Sequence, residues 1–159
     1  MSTLPILDDR TALLKWERRK SLQLRLWIVT GLFFMVLPGT ILGFTNLLFI
    51  STHHGLAGLS AAWIQAHGHA QVFGWIGSFV LGIGFYSQPR TRANSGLLPP
   101  ICWGLWAAGL ILHWLAGAWL WLWRITLPLS GAFELVAILL FLYAARQHKI
   151  GRASCRERV

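Results

Sequence analysis

Polar and apolar positions separate along this chain by segment rather than by face. No Lys, Arg, Asp or Glu occurs from Leu26 to Pro89, and none from Ala93 to Trp123. Each run exceeds the about 20 apolar residues that one bilayer span requires. The first run is broken by a short polar stretch, Ser51 to Ser60, which holds His53 and His54. The second run ends before Arg124, after which apolar residues resume. The pattern predicts an all-α, polytopic transmembrane helical bundle of four spans, at about residues 26–50, 61–87, 98–119 and 126–145. Pro38-Gly39 falls near the middle of the first span and is expected to kink it. Residues 1–25 form a basic segment with Arg10, Lys15, Arg18, Arg19, Lys20 and Arg25. A signal peptide does not account for it, because the apolar stretch that follows is too long and no small-residue cleavage site comes after it.

Composition sharpens this picture. Hydrophobic residues make up 55% and charged residues 12%, with a mean hydropathy of +0.56; soluble domains carry about 25% charge. A water-soluble globule, a secreted disulfide scaffold and a disordered tail are excluded. Lys and Arg number 14 against 5 Asp and Glu, a net charge of +9. The basic residues flank the apolar runs, so they indicate membrane topology and not nucleic acid. They place the N-terminus, the Arg90/Arg92 loop and the Arg146/Lys149 end in the cytoplasm, and the His53/His54 loop outside. Arg124 is the exception, on the outer side. Trp27, Trp63, Trp119, Trp121 and Trp123 fall near span ends, where indoles anchor at the interface.

The end of the chain reads differently. Residues 149–159, Lys149 to Val159, resemble the translation of a common short-read sequencing adapter, and native sequence is expected to end near His148. Without residues 150–159 the net charge falls from +9 to +7. Cys102 is then the only cysteine, which excludes a disulfide within the chain. On this reading the sequence is the N-terminal piece of a longer protein, with further spans or a homo-oligomer completing it.

Candidate chemistry lies in the intramembrane polar residues, which are costly in lipid. In the second span His67, Gly74, Ser78 and Gly82 share one helical face at about 100° per residue. Its small residues let a neighbouring helix or a flat ring approach the backbone. A histidine at the end of such a face suits axial ligation of haem. His69 points about 160° away from His67 by the same rule, beside Phe73, Ile76, Val80 and Ile83. The pair is therefore not expected to hold one metal ion from a regular helix. Glu134 lies within the fourth span as a proton relay or as a partner to His113 or Arg124. His113, in the third span, is placed to meet haem or Glu134, or to make an interhelical hydrogen bond. Arg124 suits a haem propionate, and His53 with His54 is a candidate copper pair, since imidazole suits copper.

The segment His67-Gly68-His69-Ala70-Gln71-Val72-Phe73-Gly74 resembles the NnrS family of haem- and copper-containing membrane proteins of the bacterial nitric-oxide response. That family carries a His-Ala-His-Glu-Met-x-Phe-Gly run, then Gly and Pro near the end of the same span. His67, His69, Phe73, Gly74, Gly82 and Pro89 fall on those positions, whereas Ala70 and Gln71 stand where the family has Glu and Met. The resemblance implies a multi-pass protein of the bacterial inner membrane that binds haem and copper, with His67 as the first candidate for axial ligand and His69 as the next, and with the second axial ligand and copper ligands in the missing part. The same segment is also similar to the catalytic subunits of haem–copper oxidases, in which a second-span histidine holds low-spin haem. That likeness implies an oxidoreductase fragment, with His67 as the ligand. A cofactor-free transporter half or assembly module is the third alternative.

Overall fold

A computed structural model describes residues 4–53, 55, 57, 58, 60–89, 96–119 and 121–156, with side chains placed between Arg10 and Gln147. All its regular elements are helical. Helix α1 covers residues 4–53: an α-helix over Leu4–Phe34, a π-helical turn over Met35–Ile41, and an α-helix again over Leu42–His53. Helix α2 covers Ala61–Ser87 and is π-helical over Ala70–Gly77. Helix α3 is Leu98–Ala118 and α4 is Trp123–Arg156. Among the described residues four helices are long and apolar enough to cross a membrane, and together they form a transmembrane bundle.

The helical boundaries run beyond the apolar runs. The first helix starts well before residue 26 and continues through Ser51 and Thr52 to His53. The basic segment is rich in good helix formers, so backbone hydrogen bonding carries on past the apolar edge. The backbone likewise stays helical through the tail to Arg156. Pro38 lies inside the π-helical turn. It lacks an N–H donor, and the chain widens into a π-helical turn around it, a common way to absorb such a defect.

Packing follows chain order. Helix α1 lies against α2, α2 against α3, and α3 along α4. Side chains add two further contacts: Trp103 donates to Thr30 at 3.0 Å between α3 and α1, and Phe141 of α4 meets Phe85 of α2 with centroids 5.2 Å apart. The core is built from Trp27, Phe34, Leu81, Phe85, Trp106 and Leu110, with small residues Ala70, Cys102, Ala137 and Ala144 between them. Trp27 corrects the sequence expectation. It is 0% exposed and packs on Phe85 and Trp106, so it is a core residue and not an interfacial anchor. Trp119, Trp121 and Trp123 are exposed at the α3–α4 end, where anchors were expected. Around the outside stand apolar side chains such as Val29, Phe44, Leu47, Val80 and Leu139, each more than half exposed. Water would penalise such a surface heavily, whereas lipid does not.

Candidate functional site

The small-residue face of α2 is real, and a neighbouring helix covers it. A Cβ at Gly74 would lie 2.6 Å from Phe34 Cβ, and one at Gly82 would lie 2.5 Å from Trp27 Cβ. Glycine at these two positions is what lets α1 close on α2. Ser78 accepts a hydrogen bond from Trp106 Nε1 at 3.0 Å. Of the two occupants that such a face could receive, a helix or a flat ring, the helix fills it.

His67 ends this face. Its Nδ1 donates to the Gly39 carbonyl at 2.8 Å, and its ring edge packs on Gly43. Gly39 lies inside the π-helical turn that Pro38 provokes. That carbonyl accepts from the Leu42 N–H within its own helix, and His67 takes its second lone pair. Nδ1 then carries the proton, and Nε2 is the lone-pair nitrogen. That is the orientation of a metal-ligating imidazole.

His69 turns to the other side of α2, as the angular argument required. Its Nε2 lies 2.8 Å from Glu134 Oε1 on α4. Its ring stacks on His113 of α3, with centroids 3.6 Å apart and planes 3° from parallel, and on Phe73, with centroids 4.6 Å apart. Glu134 is buried, and its Oε1 also accepts from Ser130 Oγ at 3.3 Å. The expected partners of Glu134 were His113 or Arg124; the observed hydrogen-bond partner is His69, 65 positions away in sequence. Gly109 makes this possible. A Cβ there would lie 2.7 Å from Glu134 Cγ and 3.1 Å from the Ser130 carbonyl oxygen. The cluster thus joins three helices through His69, His113, Glu134 and Ser130.

Depth follows from helix geometry. At about 1.5 Å rise per residue, His69 is roughly 12 Å from the start of α2, and Glu134 is roughly 16 Å from the start of α4. His113 is roughly 8 Å from the end of α3. All three measure from the same end of the bundle, opposite the basic N-terminal segment. A crevice of about 120 Å³ opens at that end, lined by Gln65, His113, Gly117, Trp123 and Leu127 among others. On the far side of Glu134 the packing is closed by Ala137, Cys102 and Trp106, none more than 2% exposed.

The remaining candidates do not join this cluster. His53 is exposed and occupied locally: Nδ1 lies 3.0 Å from the Phe49 carbonyl oxygen, and the ring stacks on Phe49 at 4.0 Å. His54, the other half of the copper pair, lies outside the described residues, as do Arg90 and Arg92. Arg124 is exposed, with its guanidinium 5.9 Å from the Trp123 ring centroid. It is not brought to His67, His69 or His113. Among the described residues no group of three or more His, Cys, Asp or Glu is arranged to hold a metal ion. The parallel stack of His69 and His113 shows why. Lone pairs in two parallel planes do not converge on one ion.

A haem meets a mixed fit. With Nδ1 on the Gly39 carbonyl, His67 Nε2 is the one ring nitrogen that could make an axial bond. The Gly74–Gly82 face, however, holds Phe34 and Trp27 where a porphyrin would lie flat. No family model, curated protein or solved structure matches the chain. The likeness to the NnrS family therefore rests on the residues of the second span alone. Sequence reasoning did not find Ser130, Gly109 or Gly39, the residues that position Glu134 and His67. Glycine and serine within apolar spans were their only signal.

Proposed function

We propose that this chain is a proton-coupled membrane protein in which His69, Glu134 and His113 hold one exchangeable proton within the bilayer. The observation that carries this reading is the 2.8 Å contact between His69 Nε2 and Glu134 Oε1. A carboxyl and an imidazole at that distance share one proton, as neutral acid and base or as an ion pair. Placed inside a membrane, such a pair is a functional site by default, because isolated ionisable groups are expensive there. His113 limits the charge. Two imidazolium rings about 4 Å apart repel by about 4 kcal/mol in a protein-like dielectric, so the stack holds at most one positive ring, with the Glu134 carboxyl beside it. The crevice at His113 supplies access from one side, and the closed packing beyond Glu134 denies it from the other. The reading is thus a one-sided proton donor and acceptor, not a channel.

The test is infrared difference spectroscopy of the protein in liposomes, stepped between about pH 4 and pH 9, the span that brackets ordinary carboxyl and imidazole titration. The expected result is a carboxyl signal, lost in Glu134→Gln, coupled to an imidazole signal, lost in His69→Gln. A wild type with no such signal across the range would sink the reading.

A second reading is haem ligation by His67 in a protein of the NnrS kind, placed in the bacterial inner membrane with its N-terminus in the cytoplasm. The Nδ1 hydrogen bond to Gly39 and the second-span motif support it. It requires the porphyrin to lie off the face that Trp27 and Phe34 fill. Absorption spectra of protein purified from haem-replete cells test it. A Soret band lost in His67→Ala supports the assignment, and one unchanged in that variant rejects it.

A further inference from the structure

A second cavity lies at the opposite end of the bundle, far from the histidine cluster. It has a volume of about 340 Å³ and sits between α1, the end of α2 and the start of α3. That volume falls within the roughly 300–1,000 Å³ of ordinary ligand pockets. Its chemistry is graded along α1. Arg19 and Lys20 stand at one level, beside Trp16 and Tyr86. Lys20 Nζ lies 4.5 Å from the Trp16 ring centroid and 5.0 Å from that of Tyr86, so two aromatic faces hold the ammonium in place. Leu26 lies about 10 Å deeper by helix rise, and Leu22, Gly82 and Phe85 continue the apolar wall. Gln23 donates to the Pro99 carbonyl at 3.1 Å and ties α1 to α3 at the pocket. Among the described residues no Asp or Glu lines the cavity. Leu22 and Leu26 are 49% and 43% exposed, so the wall is open sideways to the surroundings of the bundle.

We infer that this cavity binds an anionic phospholipid, with its phosphate at Arg19 and Lys20 and one acyl chain along Leu22, Leu26 and Gly82. Three features select that occupant. Two cations in a lining that holds no acid among the described residues call for an anion. The charged residues sit where the apolar run of α1 begins, which is the headgroup level. The lateral opening faces the acyl region, so a lipid enters without crossing a polar barrier. A soluble phosphate would use the cations and leave the apolar floor bare.

Native mass spectrometry of the detergent-purified protein, titrated with equal parts phosphatidylglycerol and phosphatidylcholine, tests this. The wild type is expected to retain phosphatidylglycerol preferentially. A basic residue near the surface contributes a factor of about five to anionic-lipid binding. The Arg19→Gln/Lys20→Gln double variant should therefore lose roughly tenfold or more. Arg18→Gln/Arg25→Gln carries the same charge change outside the cavity and should bind as the wild type does. Leu22→Trp keeps both cations, fills the acyl path and should weaken binding without altering the circular dichroism spectrum. Equal loss in both double variants means general surface attraction and overturns the proposal. So does displacement of the lipid by inorganic phosphate, or equal retention of the two lipids.

Discussion

Glu134 reaches His69 because Gly109 presents no side chain to it. Alanine at 109 would place Cβ 2.7 Å from Glu134 Cγ and 3.1 Å from a backbone oxygen. The carboxylate stem would have to move, and the backbone would resist. Gly109→Ala is expected to destabilise the protein by about 1–3 kcal/mol, the usual range for overpacking, seen as a lower Tm in detergent. The His69–Glu134 pair makes its own prediction. Removing one partner leaves a buried polar group without its hydrogen bond, at a cost of about 1–3 kcal/mol. His69→Ala and Glu134→Ala should each destabilise, and the double variant should lose less than the two together, with a coupling of about 0.5–3 kcal/mol. Strict additivity in unfolding measurements would show that the contact contributes nothing. Much of this scale was legible: His67, His69, His113 and Glu134 stand out in any apolar run. Which of them meet was not legible, because side-chain partners across helices depend on rotation and depth, and neither is written locally.

The two π-helical turns belong to the scale of elements. Met35–Ile41 and Ala70–Gly77 lie on neighbouring helices in contact with each other. The first surrounds Pro38; in the second the cause is not visible in the residues alone. The turn at Pro38 exposes the Gly39 carbonyl to His67 Nδ1. Pro38→Ala restores an N–H donor and lets residues 35–41 relax towards an α-helix. The Gly39 carbonyl, which already accepts from the Leu42 N–H, would then turn with the helix, and His67 would lose its aligned acceptor. Nitrogen NMR of labelled histidine should show His67 fixed as the Nδ1–H tautomer in the wild type and mixed in the variant. An unchanged His67 signal would mean that the π-helical turn does not depend on the proline. The sequence predicted a kink here because proline breaks a hydrogen bond. The form that the defect takes depends on what packs against it, and Gln71 and His67 of α2 both close on Gly39.

At the scale of the molecule, α1 is longer than any bilayer. Its residues 4–53 extend for about 75 Å at 1.5 Å per residue, against a hydrocarbon core of about 30 Å. The charge-free part from Leu26 onward accounts for the membrane, and the basic turns before it project beyond. Trypsin added to sealed vesicles of one orientation should therefore cut between Lys15 and Arg25 and leave the run from Leu26 to Pro89 intact. Cleavage confined to inside-out vesicles would place that end in the cytoplasm, as the distribution of Lys and Arg predicts. Cleavage confined to right-side-out vesicles would reverse the topology. The protein should also stay with the membrane under alkaline carbonate, since apolar residues cover its outer surface.

Hydropathy and charge, read along the chain, were enough to determine the all-helical class, the four spans and the polar residues that lipid makes expensive. Angular spacing was enough to put His67 and His69 on different sides of α2. Tertiary structure alone decided that Trp27 is core and not anchor, that α1 fills the glycine face, and that His69 takes Glu134 while stacking on His113. The reason is the solvent. In water the inward face of a helix is apolar and the outward face polar, so the pattern names the partner side. In a bilayer both faces are apolar, no hydrophobic contrast drives one helix onto another, and contact is selected by small residues, shape and buried hydrogen bonds. Those are properties of two surfaces at once, and a single run of residues carries only one of them.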